Sequence, residues 1–252
     1  MSRISVVIPA YQAYETLEST IRSIVAQTYP PFEVIVVLDG PDDECVRLFR
    51  NANFPAYVKL IELPDNVGVS LARNNGIKVS RGDYIALCDA DDVWHPQKLE
   101  VQFNYARKGY TLIGSQAQRF TNTQELKFKK TNPTWCKSFQ NVRHKHLRAF
   151  NPFYTSSLMF DRKLICEVQF DATCQQEDYQ FLIDLFNSKN LLAAIDKRKL
   201  IGYRVVANSR SGGVFYSAMN NFLLRRKNYG LKIAVLFSPL YLLNVIRKRY
   251  LT

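Results

Sequence analysis

The chain has 252 residues and carries a formal net charge of +12 at pH 7. Its length suits one large α/β domain, or one domain with an appendage, and its composition (47% hydrophobic, 22% charged) is ordinary for a soluble globular protein and not for a disordered or fibrous chain. The five cysteines include no Cys-x-x-Cys pair, which favours neither a zinc site nor a disulfide framework. Because a strand pattern begins at Ile4 with no leader-like segment before it, we expect a cytoplasmic protein in a reducing compartment.

The positive charge is concentrated at the C-terminal end. No Asp or Glu follows Asp196, whereas twelve Lys and Arg do, and these twelve equal the whole net charge. Such asymmetry indicates an anionic partner for the end of the chain. No nucleic-acid-binding motif accompanies the charge, so we expect no nucleic-acid partner.

The first hundred residues alternate strand and helix patterns. Apolar, β-branched runs predict strands, and apolar residues at helical spacing predict the helices between them. The predicted strands are Ile4–Pro9, Glu33–Leu38, Val58–Leu63 and Tyr84–Cys88, and the predicted helices contain Leu17–Val25, Asp42–Asn51 and Leu71–Ile77. This order favours a parallel, doubly wound sheet, in which ligands bind beyond the carboxyl ends of the strands.

Two of these strands end in acidic residues. Asp39 follows the second strand, and Asp89-Ala90-Asp91-Asp92 follows the fourth. Carboxylates crowded at the end of a buried strand raise each other's pKa, and a divalent cation removes that cost. Hard oxygen ligands there suit Mn²⁺ or Mg²⁺, which commonly bind one or two carboxylates together with substrate phosphates. The alternative interpretation is a solvated acidic turn.

Four motifs stand in order along this half of the chain. They are Ser5–Tyr11, Leu38-Asp39-Gly40, Asn66-x-Gly-x-x-x-Ala-Arg-Asn-x-Gly76, and Gly82-Asp83-Tyr84-Ile85 leading to Asp89–Asp92. Together they resemble family 2 glycosyltransferases of the GT-A fold. The resemblance implies an α/β, Rossmann-like fold with a mostly parallel central sheet flanked by helices. It also implies a catalytic domain at 1–213, with a nucleotide-sugar-binding half at 1–100 and an acceptor-binding half at 101–213.

The same resemblance implies a donor site at the carboxyl ends of the strands, where a UDP-sugar would lie. The residues implied for donor binding are Pro9, Ala10, Tyr11, Asp39, Asn66, Arg73, Asp89, Ala90, Arg204 and Arg210. Asp39 would accept the N3–H of uracil, and Arg73 would reach the uracil or the diphosphate. Asp91, with Asp89, would coordinate the Mn²⁺ or Mg²⁺ that bridges the phosphates. The residues by themselves leave other roles open, a helix cap for Asp39 and a surface salt bridge for Arg73.

The segment after the acid cluster is the least informative. We predict that Val93–Pro96 begins a helix, with Asp92 either as its cap or as a residue that supports the metal ligands. His95 has no second His or Cys at ligand spacing, which favours a capping or packing role over metal binding. Residues 119–148 are basic and carry aromatic residues such as Trp135, a pattern that suits either an acceptor-binding insertion or a solvated loop.

The second half also carries the implied catalytic base. Strands are predicted at Leu112–Gly114, Asn151–Phe160, Leu191–Ile195 and Leu200–Val205, and a helix is predicted to open at Glu177-Asp178. The resemblance implies Asp178 as general base, with Glu177 orienting or binding the acceptor. Acids at a helix N-terminus are stabilised as anions, so an ionised base is plausible, although both acids could simply complement the helix dipole. A single base implies in-line displacement with inversion, and the absence of a Gln-x-x-Arg-Trp motif implies transfer of one sugar.

Residues 214–252 are predicted to form a basic, amphipathic helical tail. The apolar run Ile233–Ile246, fourteen residues long, is shorter than the ~20 residues that span a bilayer. Its basic flanks suit a helix lying on an anionic membrane surface, which would place the protein on the inner face of the plasma membrane. The alternative is a helix packed on the domain or on a second subunit of a homo-oligomer.

Three functions are compatible with these features. The first is a metal-dependent, inverting glycosyltransferase that uses a UDP-sugar and a glycan or lipid-linked acceptor, in the bacterial surface-polysaccharide pathways that the resemblance implies. The second is a sugar nucleotidyltransferase, but such enzymes need a Gly- and Arg-rich loop after the first strand, where this chain has Pro9–Ala13. The third is a non-catalytic, nucleotide-binding, membrane-associated protein.

Overall fold

The computed structural model describes residues 2–133, 139–165, 168–188, 191–205 and 214–239. Two residues singled out above, Trp135 and Arg210, lie outside these ranges, as does the part of the apolar run beyond residue 239.

The first half of the chain has the predicted alternation of strands and helices. It consists of β1 Ile4–Ala10, α1 Tyr14–Val25, β2 Glu33–Leu38, α2 Asp43–Asn51, β3 Val58–Glu62, α3 Val69–Val79 and β4 Tyr84–Leu87. The second half consists of β5 Val93–Trp94, α4 Lys98–Ala106, β6 Leu112–Phe120, β7 Phe139–Val142, α5 His144–Leu147, β8 Met159–Asp161, α6 Glu177–Asn187, β9 Ala193–Arg204 and α7 Val214–Tyr229.

All nine strands join one sheet in the order β3-β2-β1-β4-β8-β6-β9-β5, with β7 also paired to β9. The first four are parallel, as predicted. The second half is mixed, because β8 runs antiparallel to both β4 and β6, whereas β6 and β9 are parallel. The carboxyl ends of β2 and β4 therefore lie at the same edge of the sheet, where Asp39 and the acid cluster follow them.

The sheet is buried on both faces, and β1 shows this most clearly. Ile4, Val6 and Ile8 are fully buried in an apolar cluster with α1 and α4, whereas Val7 is buried in the cluster that contains α6. Strands with two buried faces read as continuous apolar runs, which is why β1 and β2 were predictable. On the Val7 side α3 packs very closely, since a Cβ built on Gly76 would lie 2.4 Å from Val7 Cγ1.

This close approach predicts that Gly76→Ala destabilises the protein by ~1–3 kcal/mol, the usual cost of overpacking. The loss should appear although Ala is favoured over Gly in a helix by about 1 kcal/mol. The measurement is the free energy of unfolding in urea, with Lys78→Ala, at an exposed position of the same helix, as the control. Stability at or above that of the unaltered protein would contradict the close packing of α3 on β1.

The prediction that a helix begins at Val93–Pro96 is wrong. Val93 and Trp94 form β5, which pairs antiparallel with Gly202 and Ile201 of β9, and α4 begins only at Lys98. The β-branched and aromatic side chains of Val93 and Trp94 favour a strand, and a partner strand from far along the chain is present to pair with them.

Two other strand predictions need correction. Within Asn151–Phe160 only the last two residues enter β8; the segment before it turns, with Asn151 Oδ1 accepting from the N–H of Phe153 and a 3-10 turn at Thr155–Ser157. The two strands predicted at Leu191–Ile195 and Leu200–Val205 form one strand, β9. Its polar middle shifts register against β6 between Asp196 and Ile201, and the buried Asp196 accepts from the Tyr105 hydroxyl at 2.7 Å.

The described part of the tail is helical. After α7, residues 231–239 form a second helical segment. Leu224, Arg225 and Ala234 are buried, so one side of the tail packs on the catalytic domain. Within the residues described, none of the helices combines the length and the apolar character that crossing a membrane requires.

Candidate active site

The acid turn, residues 89–92, is held from the side of α1 and from the turn before β8. The N–H of Asp89 donates to Ser156 Oγ at 2.9 Å. The carbonyl oxygen of Ala90 accepts from the hydroxyls of Thr16 and Thr20, both at 2.9 Å. These bonds connect segments far apart in sequence, so the position of the carboxylates is fixed by the assembled fold.

Arg204, at the end of β9, holds the same turn from the opposite side. Its N–H donates to Asp92 Oδ1 and its Nε to the carbonyl oxygen of Asp91, each at 2.9 Å. Its guanidinium also donates to Thr123 Oγ1 and lies over the ring of Phe120. Arg204 was expected to bind the donor; in the structure it supports the acid turn, and direct contact with a diphosphate stays a prediction.

Arg73, in α3, connects the two halves of the chain. Its guanidinium is almost completely buried and pairs with Asp89 Oδ1 at 2.7 Å and with Glu177 Oε1 at 3.3 Å. It also lies 5.2 Å from the ring centroid of Phe170. Burial lowers the pKa of Arg73, but Asp89 and Glu177 outweigh burial and raise it above its ordinary value. The predicted donor-side and acceptor-side acids are thus brought together by one buried cation.

Asp178 lies in the first turn of α6, next to this cation. Its Oδ1 accepts from the N–H of Tyr179 at 2.7 Å, and its Oδ2 accepts from Asn151 Nδ2 at 3.2 Å. Burial and the negative charge of Glu177 raise the pKa of Asp178 to about 6, against the opposing effect of Arg73. A carboxyl with this pKa is a stronger base than an ordinary aspartate and is still mostly ionised at neutral pH.

The acid turn concentrates negative charge, which affects the pKa of its carboxyl groups. Burial, and then the charge of Asp89, raise the pKa of Asp91 and raise that of Asp92 further. Among the described residues no group of three or more His, Cys, Asp or Glu is arranged to hold a metal by itself. A cation that takes one or two protein carboxylates and completes its shell with phosphate and water oxygens needs no such group, and its binding by Asp89 and Asp91 stays a prediction.

The predicted nucleoside side lies at the ends of β1 and β2. The buried carboxylate of Asp39 accepts from the N–H of Val67 at 2.7 Å and from that of Gly68 at 3.0 Å. Gly68 has a φ of +89°, which favours glycine at this point before α3. Tyr11 and Asn66 are exposed on the two loops that flank Asp39. In the structure Asp39 thus shapes the loop before α3, and its contact with uracil stays a prediction.

Two tyrosines that were not predicted as site residues lie beside the acid turn. Tyr203 of β9 and Tyr154 have ring centroids 5.6 Å apart. Burial, followed by the charges of Asp92 and Asp89, raises the pKa of Tyr203 to about 12, yet the residue remains 38% exposed. Flat aromatic surfaces beside carboxylates suit the apolar face of a sugar ring.

Ser156, Thr16, Thr20 and Asn151 were likewise missed. Each supports a predicted site residue through one hydrogen bond to a partner that is distant in the sequence. Hydroxyl and amide side chains are common in loops and helix ends, so nothing in the local pattern distinguishes these four.

His95 is a packing residue in this structure. Its Nδ1 accepts from the N–H of Gln97 at 3.0 Å, so its Nε2 carries the proton and donates to the carbonyl oxygen of Lys129 at 3.1 Å. Burial lowers its pKa, which keeps the ring neutral. Both ring nitrogens therefore have hydrogen-bond partners within the protein.

The family model described as glycosyl transferase family 2 matches residues 5–168 of the chain. The protein belongs to this family. It is 25% identical over 236 residues to a putative teichuronic acid biosynthesis glycosyltransferase, TuaG, of Bacillus subtilis, covering 89% of this chain and 87% of TuaG. It is 27% identical over 235 residues to the poly(ribitol-phosphate) beta-N-acetylglucosaminyltransferase TarP of Staphylococcus aureus, covering 87% of this chain and 71% of TarP.

Solved structures agree with the fold of this family 2 glycosyltransferase. The crystal structure of S. aureus TarS 1–349 in complex with UDP-GlcNAc superposes with a TM-score of 0.69 at 16% sequence identity, covering 98% of this chain and 73% of that one. The expected GT-A fold class is thereby confirmed. Arg73, Asp89, Asp91 and Asp92 lie within the segment that the family model matches, whereas Glu177 and Asp178 lie beyond it.

Proposed function

We propose that this family 2 glycosyltransferase transfers one sugar from a UDP-sugar to a hydroxyl of a glycan or lipid-linked acceptor, with inversion at the anomeric carbon. One observation carries the proposal: Arg73 joins Asp89, at the end of β4, to Glu177, beside Asp178. A transferase needs its donor and acceptor groups within bonding distance of each other. In this arrangement Asp89 would face the donor, and Glu177 and Asp178 would face the acceptor.

On the donor side, the diphosphate would lie against Asp89 and Asp91. Mn²⁺ or Mg²⁺ held by these two carboxylates would neutralise charge on the departing diphosphate. The acid turn is already fixed by Thr16, Thr20 and Ser156, so little reorganisation is required when the donor binds.

On the acceptor side, Asp178 would take the proton of the attacking hydroxyl. The hydroxyl oxygen forms a bond to the anomeric carbon as the bond from that carbon to the β-phosphate oxygen breaks, and UDP departs with the electron pair. Attack occurs opposite the leaving group, so the configuration inverts. The pKa of about 6 supports Asp178 as a base that is ionised at neutral pH and strong enough to accept a proton.

The names of the relatives guide the choice of acceptor. TuaG is named for teichuronic acid biosynthesis, and TarP for transfer of N-acetylglucosamine to poly(ribitol-phosphate). Both names point to a bacterial polymer that carries hydroxyl groups, and we extend that class of acceptor to this protein. TarS has been solved with UDP and with UDP-GlcNAc, which makes UDP-GlcNAc the first donor to test.

The test is release of UDP from a panel of UDP-sugars, with and without Mn²⁺, followed by an acceptor screen with analysis of the anomeric configuration. UDP release that depends on an acceptor, with an inverted product, supports the proposal. Release of pyrophosphate from a nucleoside triphosphate and a sugar phosphate would instead indicate a nucleotidyltransferase. Binding of UDP without turnover of any donor would indicate a non-catalytic protein.

The linking role of Arg73 gives a prediction about pH. Arg73→Gln removes the cation that lowers the pKa of Asp178, so the acidic limb of kcat/KM should move to higher pH. We also expect kcat/KM to fall by at least ~10-fold, because small errors in positioning are costly.

Arg73→Lys provides the matched variant, since it keeps the charge but not the forked geometry. It should lose activity while leaving the acidic limb close to its original position. An unchanged pH profile in Arg73→Gln would show that the cation does not control the base.

A further inference from the structure

A groove of about 630 Å³ opens between the tail and the segment around α5. Its apolar walls come from Ile233, Leu236 and Phe237 on one side and from Phe150 and Pro152 on the other. Leu236 and Phe150 are 63% and 42% exposed. An apolar, open groove of this kind is unusual for surface that only meets water.

The rim of the groove is basic. Lys145, His146 and Arg148 line it, and no acidic residue is among its described lining. Lys145 and Arg148 are exposed. The groove thus combines hydrocarbon-lined walls with cationic side chains at its edge, which is the chemistry that matches an anionic head group attached to an apolar chain.

The two walls are fixed in place by one buried residue. Arg225 of α7 is fully buried, and its guanidinium donates to the carbonyl oxygen of Ala149 and, at 3.3 Å, to that of Phe237. Because these carbonyls belong to opposite walls, the groove is part of the folded structure and does not depend on a loose arrangement of the tail.

Apolar exposure continues along the tail beyond the groove. Met219 and Leu223 of α7, one turn apart, are 45% and 49% exposed, and Leu231 and Val235 of the next helical segment are 56% and 58% exposed. Basic residues are interspersed with them, since Arg226 and Lys232 are also exposed. Apolar and basic side chains on one helical surface are typical of segments that lie in the interface of an anionic bilayer.

We propose that this groove and the exposed apolar residues of the tail form a membrane-binding surface whose partner is anionic phospholipid in a bilayer. Charge complementarity selects this partner over a neutral surface, because Lys145, Arg148, Arg226 and Lys232 are exposed beside these apolar residues and no acid is among the described lining of the groove. The position of the groove adds a functional consequence that rests on the proposed function. Phe150 and Pro152 flank Asn151, whose amide contacts Asp178, so the groove adjoins the proposed base.

The experiment is flotation of the full chain with three kinds of vesicle: phosphatidylcholine alone, phosphatidylcholine with phosphatidylglycerol, and phosphatidylcholine containing a small fraction of polyprenyl phosphate. We expect binding to the phosphatidylglycerol vesicles that weakens as salt is raised. Leu236→Glu should lower the partition coefficient at least ~10-fold, since it places a charge where an exposed apolar side chain would enter the bilayer. Lys145→Gln and Arg148→Gln should each lower it by ~5-fold.

Two control variants match these changes at sites remote from the tail. Val79→Glu alters an apolar side chain that is 47% exposed at the end of α3, and Lys163→Gln removes an exposed charge; neither should alter vesicle binding. Unfolding temperatures of all variants report whether the fold is intact. UDP release from the donor, measured without vesicles, keeps failure of the membrane proposal separate from failure of the proposed enzyme activity.

Three outcomes would overturn the proposal. The first is equal binding by Leu236→Glu and the unaltered protein. The second is binding only to the vesicles with polyprenyl phosphate, which would assign the groove to a single lipid-linked substrate. The third is a dimer in solution that Leu236→Glu dissociates, without any vesicle binding, which would assign the surface to a second copy of the chain.

Discussion

Replacing Asp178 with Asn lowers kcat at least ~100-fold, the usual contribution of a positioned general base, while the affinity for UDP is preserved. Asn keeps the size of the side chain and its contacts in the first turn of α6 but cannot accept the proton of the acceptor hydroxyl. The affinity for UDP should survive because the predicted nucleoside residues lie at the ends of β1 and β2. Steady-state turnover and calorimetric binding of UDP measure the two effects separately.

Asp178 is also expected to determine how kcat/KM depends on pH. Asp178 must be ionised to act, and its pKa of about 6 means that kcat/KM should decline as the pH falls below about 6. In Asp178→Asn this limb should disappear from the residual activity. Asp184→Asn, on the same helix, alters a partly buried carboxylate bound to Gln180 and should keep both turnover and the limb. Near-normal turnover in Asp178→Asn would remove this residue from the role of base.

Replacing Asp91 with Asn should lower kcat/KM by ~100- to 1,000-fold, the range found when one group that stabilises developing charge is removed. Burial and Asp89 raise the pKa of Asp91, so a nearby cation would stabilise its ionised carboxylate. The variant should also lose the stimulation by Mn²⁺ that the unaltered enzyme is expected to show. Turnover and UDP binding across a Mn²⁺ titration provide the measurement.

Asp65→Asn is the matched control, because Asp65 is an exposed carboxylate in the loop before α3. It should leave both turnover and the Mn²⁺ dependence unchanged. If Asp91→Asn retained a normal response to Mn²⁺, the cation would have to be held elsewhere. If it were slow but bound UDP and Mn²⁺ normally, Asp91 would act on the reaction without being a ligand.

The anchoring of the acid turn explains why these two effects should be large. Asp89 and Ala90 are bound through their main-chain atoms by Ser156, Thr16 and Thr20, and Arg73 also pairs with Asp89 Oδ1. Carboxylates fixed in this way can stabilise charge without first rearranging. Altering one of them therefore removes an interaction that the rest of the fold cannot restore.

The first half of the fold was predictable because its signals are local. The strands from Ile4 and Glu33 are buried on both faces, so burial alone produces an uninterrupted apolar run. The glycines at 40 and 68 mark turns with positive φ, which few other residues adopt easily. Asp39 and Asp89 could then be placed at one edge of the sheet, since parallel strands direct their carboxyl ends the same way.

The second half was less predictable because pairing partners and burial decide its structure. Val93 and Trp94 resemble the start of a helix until β9 is present to pair with them. The polar middle of β9 separates two apolar runs in the sequence, but it continues one strand, with a register shift against β6 and a buried contact between Asp196 and Tyr105. Neither partner is near in the sequence, so no local window contains the information.

By itself the sequence determined the alternation of strands and helices, the acids at the strand ends and the charge excess of the tail, because each depends on residues close together in the chain. Only the tertiary structure decided that Arg73 bridges Asp89 and Glu177, that Arg204 supports the acid turn, and that the tail forms one wall of a groove beside Asn151. The physical reason is that a buried charge selects its partners by three-dimensional proximity. That proximity is created by folding, which brings together groups more than a hundred residues apart.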